Sequence, residues 1–387
     1  MRGRRIVKNL THGSALLGLA TAWLLAPVGL AATETVAEGV RTEYEPIRVV
    51  RIADGFEHPW AVAVLSDGRY LVSERPGRLT LLAGGQKKRV SGLPEIHAQR
   101  QGGLLDVVLH PEFAANGLVY LTYSKGDAAG TTTALGRGRL EGDALVDFEE
   151  LFVQDRLSEP GRHYGSRVAW LPDGTLLLSI GDRGAAPARA QDLRDHAGKV
   201  LRLNSDGSVP QDNPFVGRED AHAEVFSTGH RNIQGMVVEP RSGTIWATEH
   251  GERGGDELNR VQAGKNYGWP VVSKAREYRS EAQYGEARSR DGYEDPVYEF
   301  LPTLAPSGLA LVTADRFPSW RGNLLAGGLR AQRIRRLVIE DGEVVHEEEL
   351  LLQTVGRIRD VREGPDGHIY VLSDEADGGL YRIESER

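Results

Sequence analysis

The sequence predicts an all-β protein, a six-bladed β-propeller with four-stranded antiparallel blades. Three observations carry that prediction. Short apolar runs such as Tyr70-Leu71-Val72, Leu118-Val119-Tyr120-Leu121 and Leu176-Leu177-Leu178-Ser179-Ile180 are each bounded by turn residues, as strands are. Glycine is abundant, 47 in 387 residues, which suits many tight turns. One unit recurs six times: a polar cluster, an apolar strand, a turn rich in Pro, Asp, Asn or Gly, a second apolar strand, and a polar or glycine-rich loop. A β-sandwich does not require the same order six times.

The first unit covers 58–75 and turns at Ser66-Asp67-Gly68. The second starts at Gln101-Gly102-Gly103, turns at Asn116-Gly117 and ends at Thr122-Tyr123. The third starts at His163, turns at Pro172-Asp173-Gly174 and ends at Gly181-Asp182-Arg183. The fourth runs from His230-Arg231-Asn232 through Ser242-Gly243 to Glu249-His250-Gly251. The fifth runs from Ala305-Pro306-Ser307 through Arg321-Gly322-Asn323 to Gly327-Gly328-Leu329-Arg330. The sixth runs from Arg357-Ile358-Arg359 through Pro365-Asp366-Gly367 to Ser373-Asp374-Glu375. With the first strand of each unit lining a central channel, the leading polar clusters meet at one mouth. Gln101, His163, Arg231, Asn232, Arg357 and Arg359 then converge, and the loops after the second strands add Asp182, Gly251 and Arg330.

The ends of the chain and its composition narrow the function. Arg2, Arg4, Arg5 and Lys8 precede an apolar stretch at 15–30, and Gly29-Leu30-Ala31 offers small residues for cleavage after Ala31. Residues 1–31 therefore read as a secretory signal peptide and 32–387 as one propeller domain, periplasmic or secreted. No later run is long and apolar enough for a helical membrane span. Loss of the leader, with its four positive and no acidic residues, takes the formal charge from −8 to −12. No basic block follows, so nucleic acid is not an expected partner. Cysteine is absent, which excludes disulfide scaffolds, thiolate nucleophiles and cysteine-based zinc sites.

The gathered residues point to a chemistry. Several arginines in one funnel imply a polyanionic ligand, because guanidinium forks match carboxylates and carbonyl oxygens. A phosphate is one candidate, but no glycine-rich strand-to-helix loop accompanies it; a polycarboxylate cofactor is the other. His163 has the type and place of a general base, with Asp182 to fix its tautomer. The stretch from Glu249 through Gly251-Glu252-Arg253-Gly254-Gly255-Asp256-Glu257 is rich in carboxylates and free carbonyls, as calcium prefers, though its spacing is not that of an EF-hand. By composition alone, Asn266-Tyr267-Gly268-Trp269-Pro270 reads as a plug at a blade edge.

At these residues the sequence resembles the glucose/sorbosone dehydrogenase family, especially soluble aldose sugar dehydrogenases that use pyrroloquinoline quinone. The resemblance rests on Gln101-Gly102-Gly103-Leu104-Leu105-Asp106, His110-Pro111-Glu112-Phe113, Ser179-Ile180-Gly181-Asp182, Gly229-His230-Arg231-Asn232-Ile233-Gln234-Gly235, Glu249-His250-Gly251, Gly255-Asp256-Glu257, Asn266-Tyr267-Gly268-Trp269-Pro270, Ala305-Pro306-Ser307-Gly308 and Arg357-Ile358-Arg359-Asp360. These stand in the family's order from about 55 to 383. The resemblance implies a six-bladed propeller that oxidises aldose sugars at C1 to lactones by hydride transfer to calcium-bound pyrroloquinoline quinone. It implies His163 as the base, Asp182 as its orienting carboxylate and Arg231 over the quinone carbonyl. Gln101, Asn232, Tyr278, Arg330, Arg357 and Arg359 fall where family members contact the cofactor. Gly251 and Glu252 fall where two backbone carbonyls hold the catalytic Ca2+, and Glu257 with the carbonyl of Tyr267 where a second calcium sits. An aldose is the implied substrate, and the electron acceptor that reoxidises the cofactor is left open. Two positions depart from the family pattern: 252 is Glu where Pro is common, and 330 is Arg where many members have Lys. Two other readings remain open at this point, a calcium-dependent propeller hydrolase or lactonase, and a non-catalytic binding propeller.

Overall fold

In the computed structural model the description covers Met1 and residues 33–386, apart from 45, 128 and 160. The signal-peptide expectation for 1–31 lies outside the described residues. Among the described residues no helix is long and apolar enough to cross a membrane.

Six antiparallel sheets make up the described residues. Their first strands are Pro59–Val64, Leu104–Leu109, Val168–Trp170, Ile233–Val238, Pro306–Leu311 and Ile358–Glu363, in blades 1 to 6. Each of these packs against its counterparts in the two neighbouring blades, and the last returns to the first. The ring they form is the wall of a central channel, so the first strand of every repeat is innermost, as the repeat reading expects. The second strands lie next outward; Tyr70–Glu74 pairs with Pro59–Val64, and Leu176–Ile180 with Val168–Trp170.

The blades are apolar on both faces because each is sandwiched between two others. Val108, Tyr120 and Leu135 of blade 2 pack on Val168, Leu176 and Leu178 of blade 3. The core is therefore a set of inter-blade layers arranged around the channel. The Pro-Asp-Gly turns are built as read: Asp173 Oδ1 accepts from the Thr175 amide at 2.9 Å, and Gly174 has φ +84°, a conformation open to glycine at little cost.

Blade 6 departs from the four-strand expectation. From the channel outward it runs Ile358–Glu363, Ile369–Ser373, Gly378–Ser385, Ile47–Phe56 and Glu34–Val40. The N-terminal strand Ile47–Phe56 pairs antiparallel with the C-terminal strand, placing Val49 opposite Ile383. This joint closes the ring. The fifth strand, Glu34–Val40, covers the edge that Ile47–Phe56 would otherwise expose.

Candidate active site

The repeat geometry brings the polar clusters to one mouth. A cavity of about 320 Å3 there is lined by Gln101, His163, Arg231, Asn232, Gly251, Tyr278, Arg330, Arg357 and Arg359, all expected from the sequence. That volume falls at the lower end of the range for small-molecule sites.

His163 sits in the loop that enters Val168–Trp170, and Asp182 in the loop that leaves Leu176–Ile180, the adjacent strand of blade 3. The two loops meet, with His163 Nδ1 2.6 Å from Asp182 Oδ1. Both are buried. The pair is fixed from several sides. Gln101 Oε1 accepts from the His163 amide at 2.8 Å, and Asp182 Oδ1 also accepts from the Gly184 amide at 2.8 Å. The Trp269 indole donates to Asp182 Oδ2 at 2.7 Å. His163 itself adopts φ +54°, a strained region for a non-glycine residue. Gly181 permits the approach, since a Cβ there would stand 2.1 Å from the His163 carbonyl oxygen.

The electrostatics follow from burial and neighbours. Burial, then the charges of Arg231 and Arg162, hold His163 below the ordinary imidazole range against the opposing pull of Asp182. Burial would raise the Asp182 carboxyl, but the His163 and Trp269 hydrogen bonds and the Arg231 charge hold it below the usual carboxylate range. With Nδ1–H given to Asp182, the Nε2 lone pair is left on a side chain that lines the cavity.

Arg231 leads into Ile233–Val238 and lies over the Trp269 ring, 5.2 Å from its centroid. Its Nη2 donates to Glu252 at 2.5 Å, and its Nε is buried without a partner. The Glu252 side chain holds this arginine, while the backbone carbonyl expected as a calcium donor takes no part in that contact. Arg359 donates to Asp374 Oδ2 at 2.5 Å and to Gln234 Oε1 at 3.2 Å, and its Nε is also orphaned. Asn232 Oδ1 accepts from the Gly165 amide at 3.1 Å and so braces the His163 loop. Arg330, Arg357 and the exposed Tyr278 stand at the rim.

Below this cavity the channel is closed by four charged side chains. Arg167 Nη1 reaches Asp106 Oδ1 at 3.3 Å and Asp360 Oδ1 at 3.0 Å, and Arg362 binds the same two carboxylates at 2.5 and 3.0 Å. Both aspartates are fully buried.

Two places suit oxygen-bound cations. Gly251 begins a tight loop in which a Cβ would lie 1.9 Å from the Gly254 carbonyl oxygen and 2.5 Å from that of Gly255. Its carbonyl and that of Glu252 are the backbone donors the sequence pointed to. Beside it, Glu257, Tyr267, Glu249 and Gly251 line a small hollow of about 10 Å3. Burial, then the neighbouring Glu249 charge, pushes the Glu257 carboxyl up to about 8. Asn259 Oδ1 is buried there with no partner. The Glu257 carboxylate, buried beside Glu249 in this hollow, is a hard oxygen donor of the kind calcium takes.

The sequence reading missed several contributors. Arg75 and Asp374 line the cavity; both lie in loops that follow second strands, the rule that yielded Asp182 and Arg330, so the repeat register could have found them. Trp60 also lines it, with no polar signal to mark it. Trp269 lies in the 266–270 turn, and the reading of that turn as a plain blade-edge plug is corrected here. Its indole orients Asp182, and its ring stacks on Tyr284 at 4.5 Å.

A propeller that carries a histidine–aspartate pair and an arginine-lined pocket at one channel mouth belongs to a definable class. The model of the glucose/sorbosone dehydrogenase family matches residues 56–382, and the chain belongs to that family. Among its relatives, the aldose sugar dehydrogenase YliI of Escherichia coli is 39% identical, over 87% of this chain and 92% of its own. The crystal structure of the soluble aldose sugar dehydrogenase from Escherichia coli in the apo form superimposes with a TM-score of 0.84 at 38% identity, covering 88% of this chain and 100% of that one. The PQQ-bound form of the aldose sugar dehydrogenase from Streptomyces coelicolor has a TM-score of 0.71 at 25% identity, covering 92% and 99%.

Proposed function

We propose that this chain oxidises aldose sugars at C1 to lactones, using pyrroloquinoline quinone and calcium. The observation that carries the reading is the His163–Asp182 pair, anchored through Nδ1 beside Arg231 at the wall of an arginine-lined pocket. The family membership and the PQQ-bound relative support the choice of cofactor.

The residues present fit a polycarboxylate quinone. Arg75, Arg330, Arg357 and Arg359 surround the cavity, with Asp374 as their main counter-charge, so an anionic ligand completes the balance. The orphaned Nε atoms of Arg231 and Arg359 are donors awaiting acceptors. When bound, the quinone supplies the two-electron acceptor for hydride from sugar C1. His163 Nε2 takes the proton of the C1 hydroxyl, and Asp182 stabilises the imidazolium that results. Arg231 stabilises negative charge developing across the pocket. The Gly251 and Glu252 carbonyls would hold calcium, and Glu257 with the Tyr267 carbonyl a second ion.

A hydrolase reading would need free carboxylates at the channel centre. Asp106 and Asp360 are there, but both are engaged by Arg167 and Arg362. The test is a dye-linked aldose oxidation assay on the purified protein, with and without added pyrroloquinoline quinone and calcium. Turnover requiring both supports the proposal. A folded protein inactive on every aldose with both present overturns it in favour of a binding propeller.

A further inference from the structure

A second cluster of metal-ligating side chains lies away from the channel mouth, on the flank where blade 2 meets blade 3. Asp155 follows Ala144–Val153, the outermost strand of blade 2. His196 precedes Lys199–Leu203, and His222 precedes Val225–Thr228, both in blade 3. His196 Nδ1 stands 3.0 Å from Asp155 Oδ1, and His222 Nε2 stands 3.2 Å from Asp155 Oδ2. One donor atom from each of the three lies within 4.8 Å of the others. None of these residues enters the reaction proposed above.

Three features set the cluster apart from a surface ion pair. The far nitrogen of His196, Nε2, lies 2.8 Å from Glu224 Oε1. A carboxylate on the second ring nitrogen is the support that metal-bound imidazoles commonly have, because it fixes the tautomer and raises ligand basicity. The two histidine–carboxylate distances, 3.0 and 3.2 Å, are also near the donor–donor edges of about 3.4 Å that bonds of about 2.1 Å give in a tetrahedron. Finally, His196 Nδ1 faces two partners it cannot serve together. The Asp155 amide points its N–H at Nδ1 at 3.3 Å, while the Asp155 carboxylate approaches the same atom at 3.0 Å. A lone pair serves the amide but opposes the carboxylate; a proton does the reverse. A cation between lone pair and carboxylate turns that repulsion into two bonds.

His196 and His222 stack nearly parallel at 4.1 Å and 15°, so the His222 ring has to turn for both lone pairs to meet one ion, while Phe152 packs edge-on against His196 and holds that ring. His196 is 4% exposed, whereas the Asp155 and His222 side chains are 28% and 31% exposed. The cluster is thus anchored on one side and open to solvent on the other.

We propose that Asp155, His196 and His222 bind one divalent cation of the zinc class, with water at the open position, clamping blade 2 to blade 3. Two imidazoles and one carboxylate suit zinc or cobalt and do not suit calcium, which takes oxygen donors. The site is therefore separable from the calcium positions at the channel mouth.

The test is a titration of the purified full chain with Zn2+ and with Co2+, with calcium in excess, followed by calorimetry and by the visible absorption of bound cobalt. The expected result is one ion per chain and a higher melting temperature with zinc than without it. Glu224→Gln should weaken binding by about 10–100-fold through loss of the supporting carboxylate, and His222→Ala and Asp155→Asn should weaken it further. His163→Asn should leave it unchanged. Circular dichroism of each variant confirms that the propeller is intact; His222→Gln replaces any variant that fails to fold. Sub-stoichiometric zinc uptake, or equal affinity in the wild type and the His222 and Asp155 variants, would overturn the proposal and leave a proton-bridged ion-pair cluster.

Discussion

Asp106→Asn tests whether the charged plug of the channel is a structural keystone. Every group around the Asp106 carboxylate is a donor. Oδ1 accepts from the Val107 amide at 3.0 Å, Arg167 at 3.3 Å and Arg362 at 2.5 Å, and Oδ2 accepts from the Val168 amide at 2.9 Å. An asparagine amide has to turn its NH2 toward at least one of these donors. It also removes one of two negative charges that balance two guanidiniums, with Asp106, Asp360 and Arg167 buried and Arg362 23% exposed. Breaking a buried pair on one side costs about 3–5 kcal/mol. Urea unfolding of the wild type and D106N, with the midpoint shift converted through the measured m-value, reads that loss. Adding Arg362→Met restores neutrality with Arg167 and Asp360, so D106N/R362M should be less destabilised than the sum of the two single variants. A D106N cost below about 0.5 kcal/mol, the range of an ordinary surface substitution, would refute the reasoning.

The remaining predictions concern the site and the ring closure. His163→Asn should abolish sugar oxidation while circular dichroism and calcium binding stay as in the wild type; retained turnover would remove His163 from the chemistry. Burial, with Arg231 beside it, lowers the His163 pKa, so the neutral base persists to lower pH and the acid limb of kcat/KM should fall below pH 6.5, the ordinary imidazole value. A limb at or above that pH contradicts the assignment. Glu252→Gln frees Arg231 from its ion pair and should tighten pyrroloquinoline quinone binding at saturating calcium, read by absorbance titration; weaker binding would mean that the carboxylate serves the ligand rather than competing with it. Deleting residues up to Val40 should leave a folded protein. Deletion through Phe56 exposes the partners of Ile47, Val49 and Phe56, each 0% exposed and worth about 1.5–3 kcal/mol. That loss, with the opened ring, exhausts a typical folding free energy of about 5–15 kcal/mol, so no soluble folded product is expected.

The six repeats were legible because each pairs an apolar inner strand with a turn of fixed chemistry, and those constraints are local. The site was legible at one remove, since radial symmetry converts six sequence positions into one mouth without any knowledge of contacts. Legibility stopped where symmetry stops. The edge strand Glu34–Val40 is half exposed, with neither an apolar run nor a strict alternation to announce it. The contact of Trp269 with Asp182 depends on the long excursion between Asp256–Val261 and Tyr298–Phe300, whose course no repeat dictates. Asp155, His196 and His222 come from two blades and form no motif; only packing of one blade on the next brings them together. Glu252 was visible as a residue out of pattern, but its partner Arg231 could be named only from the geometry.

The groups assigned to proton removal and cofactor binding stand on loops at the ends of inner and second strands, which the propeller ring holds rigidly. The excursion at 262–297 is different: it places Trp269 on Asp182 and Tyr278 on the cavity rim, and Arg253 meets Arg276 in a backbone bridge across it. Its charged segment is held by backbone hydrogen bonds such as Tyr284 to the Ala275 carbonyl at 3.1 Å and Glu286 to the Val271 carbonyl at 2.7 Å, while its outer ion pairs, Lys274 with Asp295, Arg288 with Glu299 and Arg290 with Glu286, are each worth little singly in water. Backbone bonds do not depend on side-chain identity, so the exposed charged positions of this loop can change sequence without disturbing the ring. Exchanging residues 274–295 for a relative's, with Tyr284 kept on Trp269, should alter KM among aldoses while the His163-dependent acid limb stays in place; unchanged KM values would remove the segment from sugar choice.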